Sequence, residues 1–171
     1  NKDKVSFKPA NDGLTTYGES LSLGFSCLAL KSYFMTSEWN KLTEEQKTKW
    51  LNFINSFQVD NSRFPKYSFV DSEMIKSYMN QSFDNKVKDQ LKKILNILPN
   101  FSFDSADTRL NKAINAETKQ AISTLNEVGS SNKQKINEIY FDGSSVVDYL
   151  NKLDWSKPWA SGAQFSSVCV F

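Results

Sequence analysis

Apolar residues recur along the chain mainly at steps of three and four, the period of an amphipathic α-helix. The clearest instance is Thr43-Glu44-Glu45-Gln46, which matches a helix N-terminal capping box and precedes Trp50, Phe53, Ile54 and Phe57 on one helical face. No segment of comparable length alternates with period two, as a half-buried strand would. The pattern therefore predicts an all-α protein built of antiparallel helical hairpins.

The same periodicity predicts helices on both sides of this one. The first runs from 19 to about 37, with Leu21, Phe25, Leu28, Ala29 and Ser32 or Tyr33 as its apolar stripe. The remaining predicted helices run from 71 to about 81, from 87 to 98 before Pro99, from 108 to 128 in one or two pieces, from Ser144 or Ser145 to 153, and from 158 onward.

The connecting segments are polar. Residues 1–18 have few apolar positions and predict an arm laid on a helical domain of residues 19–171. Residues 58–70 predict a loop in which Phe64 and Tyr67 pack under neighbouring helices. Gly129 stands where a left-handed C-cap is expected, and residues 129–143 predict a surface excursion with one short strand or turn.

Two of the four tryptophans lie near the end of the chain. Pro158 suits the first turn of a helix, because its missing N–H would have no partner there. We therefore predict a tight Asp154-Trp155 turn that leads into a buried helix, with the side chains of Trp155 and Trp159 packed against the core. Asp154 is expected to cap that helix near Pro158 or Trp159. The helix stripe would be Ala160, Ala163, Ser167 and Phe171.

The sequence stops on Phe171 with no Gly, Pro or polar exit. We interpret the chain as one piece of a longer protein. The alternative is a C-terminal helix that is wholly buried.

Composition agrees with a helical protein of one domain. Six Gly and four Pro in 171 residues are few for a fold rich in β-hairpins. The 21 basic residues are dispersed and nearly balance 19 acidic ones, which argues against nucleic-acid binding. No apolar run approaches 18 residues, so no membrane span is expected. The cytoplasm is the favoured compartment, and a signal peptide already removed is the alternative.

Cys27 and Cys169 both lie in apolar helical stretches. A chain of this length can build a core without disulfides. We predict that both are unpaired thiols in the interior.

Three groups of residues resemble the α/α toroids, in which helical hairpins alternate between an inner and an outer ring. They are residues 117–125, the turn 153–155 with 158–162, and Phe57-Gln58 with Arg63-Phe64. The last group is similar to a loop of the terpenoid-cyclase and prenyltransferase repeat, with Ser62 where that repeat has Gly. The resemblance implies part of an α/α toroid. The chain departs from both enzyme classes. It has no His for the zinc site of a protein prenyltransferase, and it lacks the Asp-x-Asp-Asp acid of a class II terpenoid cyclase.

The absence of His restricts the available chemistry. It excludes Ser-His-Asp and Cys-His catalysis within the chain and most zinc sites, so neither a metal nor a cofactor is expected. What remains is acid–base work by paired carboxylates, as in most glycosidases. The candidates, each more simply explained as an N-cap or a surface charge, are Asp71, Glu73, Asp142, Asp148 and Asp154.

Two functional hypotheses follow. The first is a helical structural or interaction domain without its own catalytic centre. The second is part of a toroid enzyme that acts on a carbohydrate or an isoprenoid. The expected partner is a carbohydrate, a hydrophobic ligand or a protein, and the aromatic residues of a stacking platform would be Trp155, Trp159, Trp39, Tyr67 and Tyr140. The binding candidates are Asp154, Trp155, Trp159, Tyr67 and Asp71.

Overall fold

A computed structural model describes residues 4–60, 65–79, 88–90, 104–136 and 143–170, without the side chains of 77–79. The structure is 62% helical, and the described residues form no strand, which confirms the all-α prediction. Residues 88–90 are helical. The rest of the helix predicted over 87–98, residues 137–142 of the excursion before Gly143 (with Tyr140 and Asp142 among them), Phe64 and Phe171 lie outside the described residues.

Seven α-helices and one 3₁₀ turn have bounds in the described part of the chain. They are α1 Thr16–Ser20, α2 Leu23–Met35, the 3₁₀ turn Trp39–Lys41, α3 Glu44–Asn55, α4 Ser72–Met79, α5 Ala106–Glu127, α6 Gly143–Asn151 and α7 Pro158–Val168.

Helix α5 is the longest described element, one continuous helix of 22 residues. Ser105 caps its start by accepting from the N–H of Thr108. Gly129 ends it in the left-handed conformation, with φ +75°, and the N–H of Ser130 donates to the Leu125 carbonyl, so the predicted C-cap is confirmed. Helices α2, α4 and α7 all pack against α5.

The main core lies between α2, α3 and α5. Its centre is Trp50, which is fully buried, and Phe7 from the N-terminal arm stacks on the Trp50 ring with centroids 5.5 Å apart. The capping box that starts α3 is confirmed: Thr43 accepts from the Gln46 N–H, and the Gln46 side chain accepts from the Thr43 N–H. The other buried members are Leu23, Cys27, Leu30, Trp39, Leu42, Ile54, Phe69, Ala121, Ile122 and Leu125.

The stripe predicted for the first helix is right at Ala29 and Tyr33, which pack against the core, and wrong at Leu28. Leu28 is 52% exposed, and the buried face carries Leu23, Cys27 and Leu30. Apolar residues occur on every side of this segment, so periodicity alone does not fix which face turns inward. Packing on α5 fixes it, and Lys31 secures the pairing through bonds from its Nζ to the side chains of Ser123 and Glu127, both 3.0 Å.

The predicted loop before α4 is more ordered than its composition suggests. It forms an isolated antiparallel bridge between Gln58 and Phe69. The Phe69 N–H donates to the Thr118 hydroxyl of α5 at 3.0 Å, which holds the loop against the central helix. Tyr67 is partly buried and has φ +66°, a conformation that L-residues seldom adopt.

Candidate functional site

The two terminal tryptophans lie on the surface. Trp155 is 52% and Trp159 is 92% exposed, so the prediction that both indoles pack against the core is wrong. Val147 and Phe165 are also exposed, at 54% and 44%. We call residues 143–170, which carry α6, the turn and α7, the tryptophan segment. Its inward positions on α7 are the small residues Ser161 and Ser167, which leaves the large aromatic rings on the outside.

The turn before α7 is secured by its own hydrogen bonds. The Trp155 indole N–H donates to the Leu150 carbonyl at 2.9 Å, and the Ser161 hydroxyl donates to the Asp154 carbonyl at 2.7 Å. The Lys157 N–H also donates to the Asp154 carbonyl, at 2.9 Å. These bonds hold Trp155 in place without burial in the core.

Asp154 does not cap α7. The N-cap residue is Lys157, which makes no side-chain cap, and the Asp154 carboxylate accepts from the N–H and hydroxyl of Ser156. Lys157 also forms an ion pair with it at 3.2 Å. Hydrogen bonds from Ser156, then the bond and charge of Lys157, lower the pKa of Asp154. The predicted cap is wrong because the side chain closes the tight turn on Ser156, two residues on, before the helix begins.

A groove of about 190 Å³ lies between α5, α6 and α7. Six of its nine lining residues are polar. The Tyr149 hydroxyl bonds the Gln164 side chain across the groove at 3.3 Å. The lining consists of Lys112, Asn115, Ala116, Lys119, Tyr149, Ala160, Ala163, Gln164 and Ser167.

Lys119 is the groove residue with the most distinctive environment. Its ammonium group is partly buried and donates to the Ser166 hydroxyl at 2.7 Å and to the Ala163 carbonyl at 3.3 Å. No carboxylate of the described residues pairs with it, whereas Lys112 pairs with Asp104 at 2.7 Å. An ammonium group has three N–H donors, so one donor of Lys119 is left for a ligand.

Asp71 lies in the interior, only 2% exposed, with its carboxylate bonded to two helix starts. One oxygen accepts from the backbone N–H groups of Ser22 and Leu23, at 2.9 and 3.2 Å. The other oxygen accepts from the backbone N–H of Glu73 at 3.1 Å. Asp71 therefore caps both α2 and α4, a structural role that uses both of its oxygens.

Glu117 of α5 accepts from the Asp71 N–H at 3.1 Å. Burial raises the pKa of Glu117 to about 7, opposed by that hydrogen bond and assisted by the charge of Asp71. A carboxyl group with such a pKa is a common general acid, but neither Glu117 nor Asp71 lines the groove.

The other candidates are dispersed. Trp39 is 7% exposed and belongs to the core, so it takes no part in a surface platform. Glu73 is ion-paired with Lys76, and Asp148 is exposed. No hydrogen bond, ion pair or ring contact of the described residues joins Tyr67 or Asp71 to Trp155 or Trp159. The predicted binding set is thus divided between the interior, where Asp71 lies, the loop before α4, which carries Tyr67, and the tryptophan segment.

The two cysteines have different environments, although both are unpaired as predicted. Cys27 is buried and bonds Thr124, and burial raises the pKa of its thiol to about 12. Cys169 is exposed, so the prediction of an interior position is wrong for it. It follows the last residue of α7 as the C-cap, with Val170 beside it partly buried against the core.

Sequence reasoning missed Lys119, Tyr149 and Gln164. They lie on three different helices, and nothing in the pattern separates Lys119 from the other lysines. Only the pairing of α5 with the tryptophan segment brings them together.

The described residues contain no group of three or more His, Cys, Asp or Glu side chains placed to hold a metal ion. None of the described helices is both long enough and apolar enough to cross a bilayer. Comparison with protein families, with characterised proteins and with solved structures found no match.

Proposed function

We propose that this chain is a helical binding domain without a catalytic centre of its own, and that it binds through the tryptophan segment and the adjoining groove. The exposure of Trp155 and Trp159 on an internally bonded turn carries the proposal. Exposed indoles leave much apolar surface in water, and covering it on binding is favourable.

The rigidity of the turn supports the same proposal. Its hydrogen bonds fix the Trp155 ring before any ligand arrives. Less side-chain entropy is then lost on binding, which raises affinity without adding contacts. Aromatic anchors on ordered backbone are typical of residues that dominate binding energy.

The experiment compares stability and binding in Trp155→Ala and Trp159→Ala. Both variants are expected to melt within a few degrees of the parent, because the removed rings are exposed. Both should lose at least tenfold in affinity for a ligand selected from an array of immobilised polysaccharides. Phe34→Ala is the matched control, since Phe34 is an exposed aromatic residue on α2. Unchanged binding in both tryptophan variants would contradict the proposal.

A second candidate function is one wall of the cleft of an α/α-toroid enzyme that acts on a carbohydrate or an isoprenoid. The aromatic surface beside a groove that carries amide, hydroxyl and ammonium groups favours it. Asp148 and Asp154 are the described carboxylates of the tryptophan segment available for acid–base work. Loss of reducing-end release from a bound polysaccharide in Asp148→Asn or Asp154→Asn, with affinity unchanged, would support this candidate. Absence of any turnover by the parent would count against it.

A further inference from the structure

We propose that the groove and Trp159 bind an acidic saccharide, with a sugar ring against the Trp159 indole and a carboxylate or sulfate group on Lys119. This inference rests on the proposed binding function and adds the chemical class of the ligand.

Helix geometry brings the two parts of the site together. Trp159 and Ala163 are four residues apart on α7 and therefore lie on the same side, about 6 Å apart along the axis. The Ala163 carbonyl accepts from Lys119, and Ala163 lines the groove. Trp159 thus stands one turn before the ammonium group, a separation that a short saccharide can span.

The charge of Lys119 selects the acidic group. Lys119 stands at the wall of the groove with no carboxylate partner among the described residues, and a cation bonds an anionic acceptor more strongly than a neutral one. Lys119 has two neutral oxygen partners and an unused donor. An anionic group on a ligand would complete its coordination with a charge-assisted hydrogen bond.

The remaining lining suits sugar hydroxyl groups. Asn115 and Gln164 carry amides, which both donate and accept, and Tyr149 adds a hydroxyl group. The indole N–H of Trp159 has no acceptor among the described residues, so it too can bond a hydroxyl. The N–H of Trp155 is already bonded to Leu150, which leaves its ring face for stacking.

The size of the groove indicates how a saccharide would bind. Pockets that enclose a drug-sized ligand have volumes of roughly 300–1,000 Å³. At about 190 Å³, this groove admits one unit of a chain. The neighbouring units would lie outside, across the exposed indoles. A wholly apolar ligand would instead cover the Lys119 ammonium group without supplying an acceptor for its unused donor.

Isothermal titration calorimetry with oligosaccharides tests the inference. The probes are a uronic-acid oligosaccharide, its neutral hexose counterpart and a sulfated counterpart of equal length. The parent is expected to bind at least one acidic probe tenfold or more tightly than the neutral one. The two acidic probes distinguish carboxylate from sulfate. Added salt should weaken acidic binding and leave neutral binding unchanged.

The decisive variants are Lys119→Gln and Trp159→Ala, with Lys133→Ala as an exposed lysine control. Lys119→Gln, whose amide can still bond Ser166, should abolish the preference for acid while neutral binding persists. Trp159→Ala should weaken both kinds of probe. Equal affinity for acidic and neutral probes, or a preference that survives in a folded Lys119→Gln, would overturn the inference and leave the proposed binding function intact. Unchanged binding in both tryptophan variants would overturn the proposed function itself.

Discussion

At the scale of single residues, the buried carboxylate of Asp71 stabilises the starts of two helices. Its carboxylate accepts three backbone N–H groups at the starts of α2 and α4. Replacement by Ala would leave these donors unsatisfied in a region closed to water. We expect Asp71→Ala to lower the free energy of unfolding by roughly 2–4 kcal/mol, measured by urea denaturation. The control Asp148→Ala removes an exposed carboxylate and should change it by less than about 0.5 kcal/mol.

Glu117 gives the fold a defined pH dependence. Its pKa in the folded state, about 7, lies above the ordinary 4.5, so the folded protein holds a proton that the unfolded chain releases. Stability from this group is complete below pH 4.5 and is lost as the pH rises to about 7. At about 1.4 kcal/mol per pH unit between pH 4.5 and 7, the loss is at most roughly 3.5 kcal/mol.

Glu117→Gln isolates this effect. The variant has no titratable group at that position, so its unfolding free energy should vary less between pH 4.5 and 7 than that of the parent. Urea denaturation across that range measures the difference between the two proteins. An identical pH dependence in parent and variant would contradict the raised pKa.

Two tryptophans should lose very different amounts of stability on the same substitution. Trp50 is fully buried and touches Phe7 and Tyr33, so Trp50→Ala should cost about 3–5 kcal/mol. Trp155 is half exposed, and Trp155→Ala should cost less than about 1.5 kcal/mol, including its hydrogen bond to Leu150. Thermal melts of the two variants provide the comparison, and similar losses would show that Trp155 is structural after all.

At the scale of elements, the end of α5 depends on backbone conformation. Gly129 has φ +75°, and a Cβ there would meet nothing within 4 Å, so Gly129→Ala would be strained only in its backbone. We expect a loss of roughly 1 kcal/mol. Gly162 is the matched control, because it lies inside α7 with equal space around it. Gly162→Ala should stabilise the protein by about 0.5–1 kcal/mol, and thermal melts should separate the two variants in sign.

Elements also show where sequence patterns were sufficient. The capping box of α3 and the glycine C-cap of α5 were predicted correctly because each depends on residues within one turn of each other. The face of α2 was predicted only in part, with Leu28 placed inward instead of Leu23, Cys27 and Leu30, because its apolar residues surround the helix. The partner helix α5 decides which of them are buried.

At the scale of the whole molecule, the two thiols report on burial. Both should react when the protein is denatured without reductant, since neither forms a disulfide. In the folded protein, Cys169 should react with a thiol reagent at once, and Cys27 should react only on unfolding, because burial raises its pKa to about 12. Absorbance titration with Cys169→Ser as the control measures both rates. Rapid loss of a second thiol in the folded parent would contradict the buried position of Cys27.

The sequence by itself determined the helical class and the local signals that begin or end α3 and α5. It also indicated that residues 153–162 form a turn into a helix, because Pro158 restricts its own backbone conformation. These features depend on neighbours in the chain, and the residues that decide them are therefore visible in the sequence.

Only the tertiary structure decided which side chains are buried and which meet. Trp155 and Trp159 were expected in the core because large aromatic residues are usually buried, but hydrogen bonds within the turn and the small inward residues of α7 leave them exposed. Lys119, Tyr149 and Gln164 line one groove because α5 packs beside the tryptophan segment. Contacts between residues 15 or more positions apart depend on helix pairing, which periodicity within each helix does not specify.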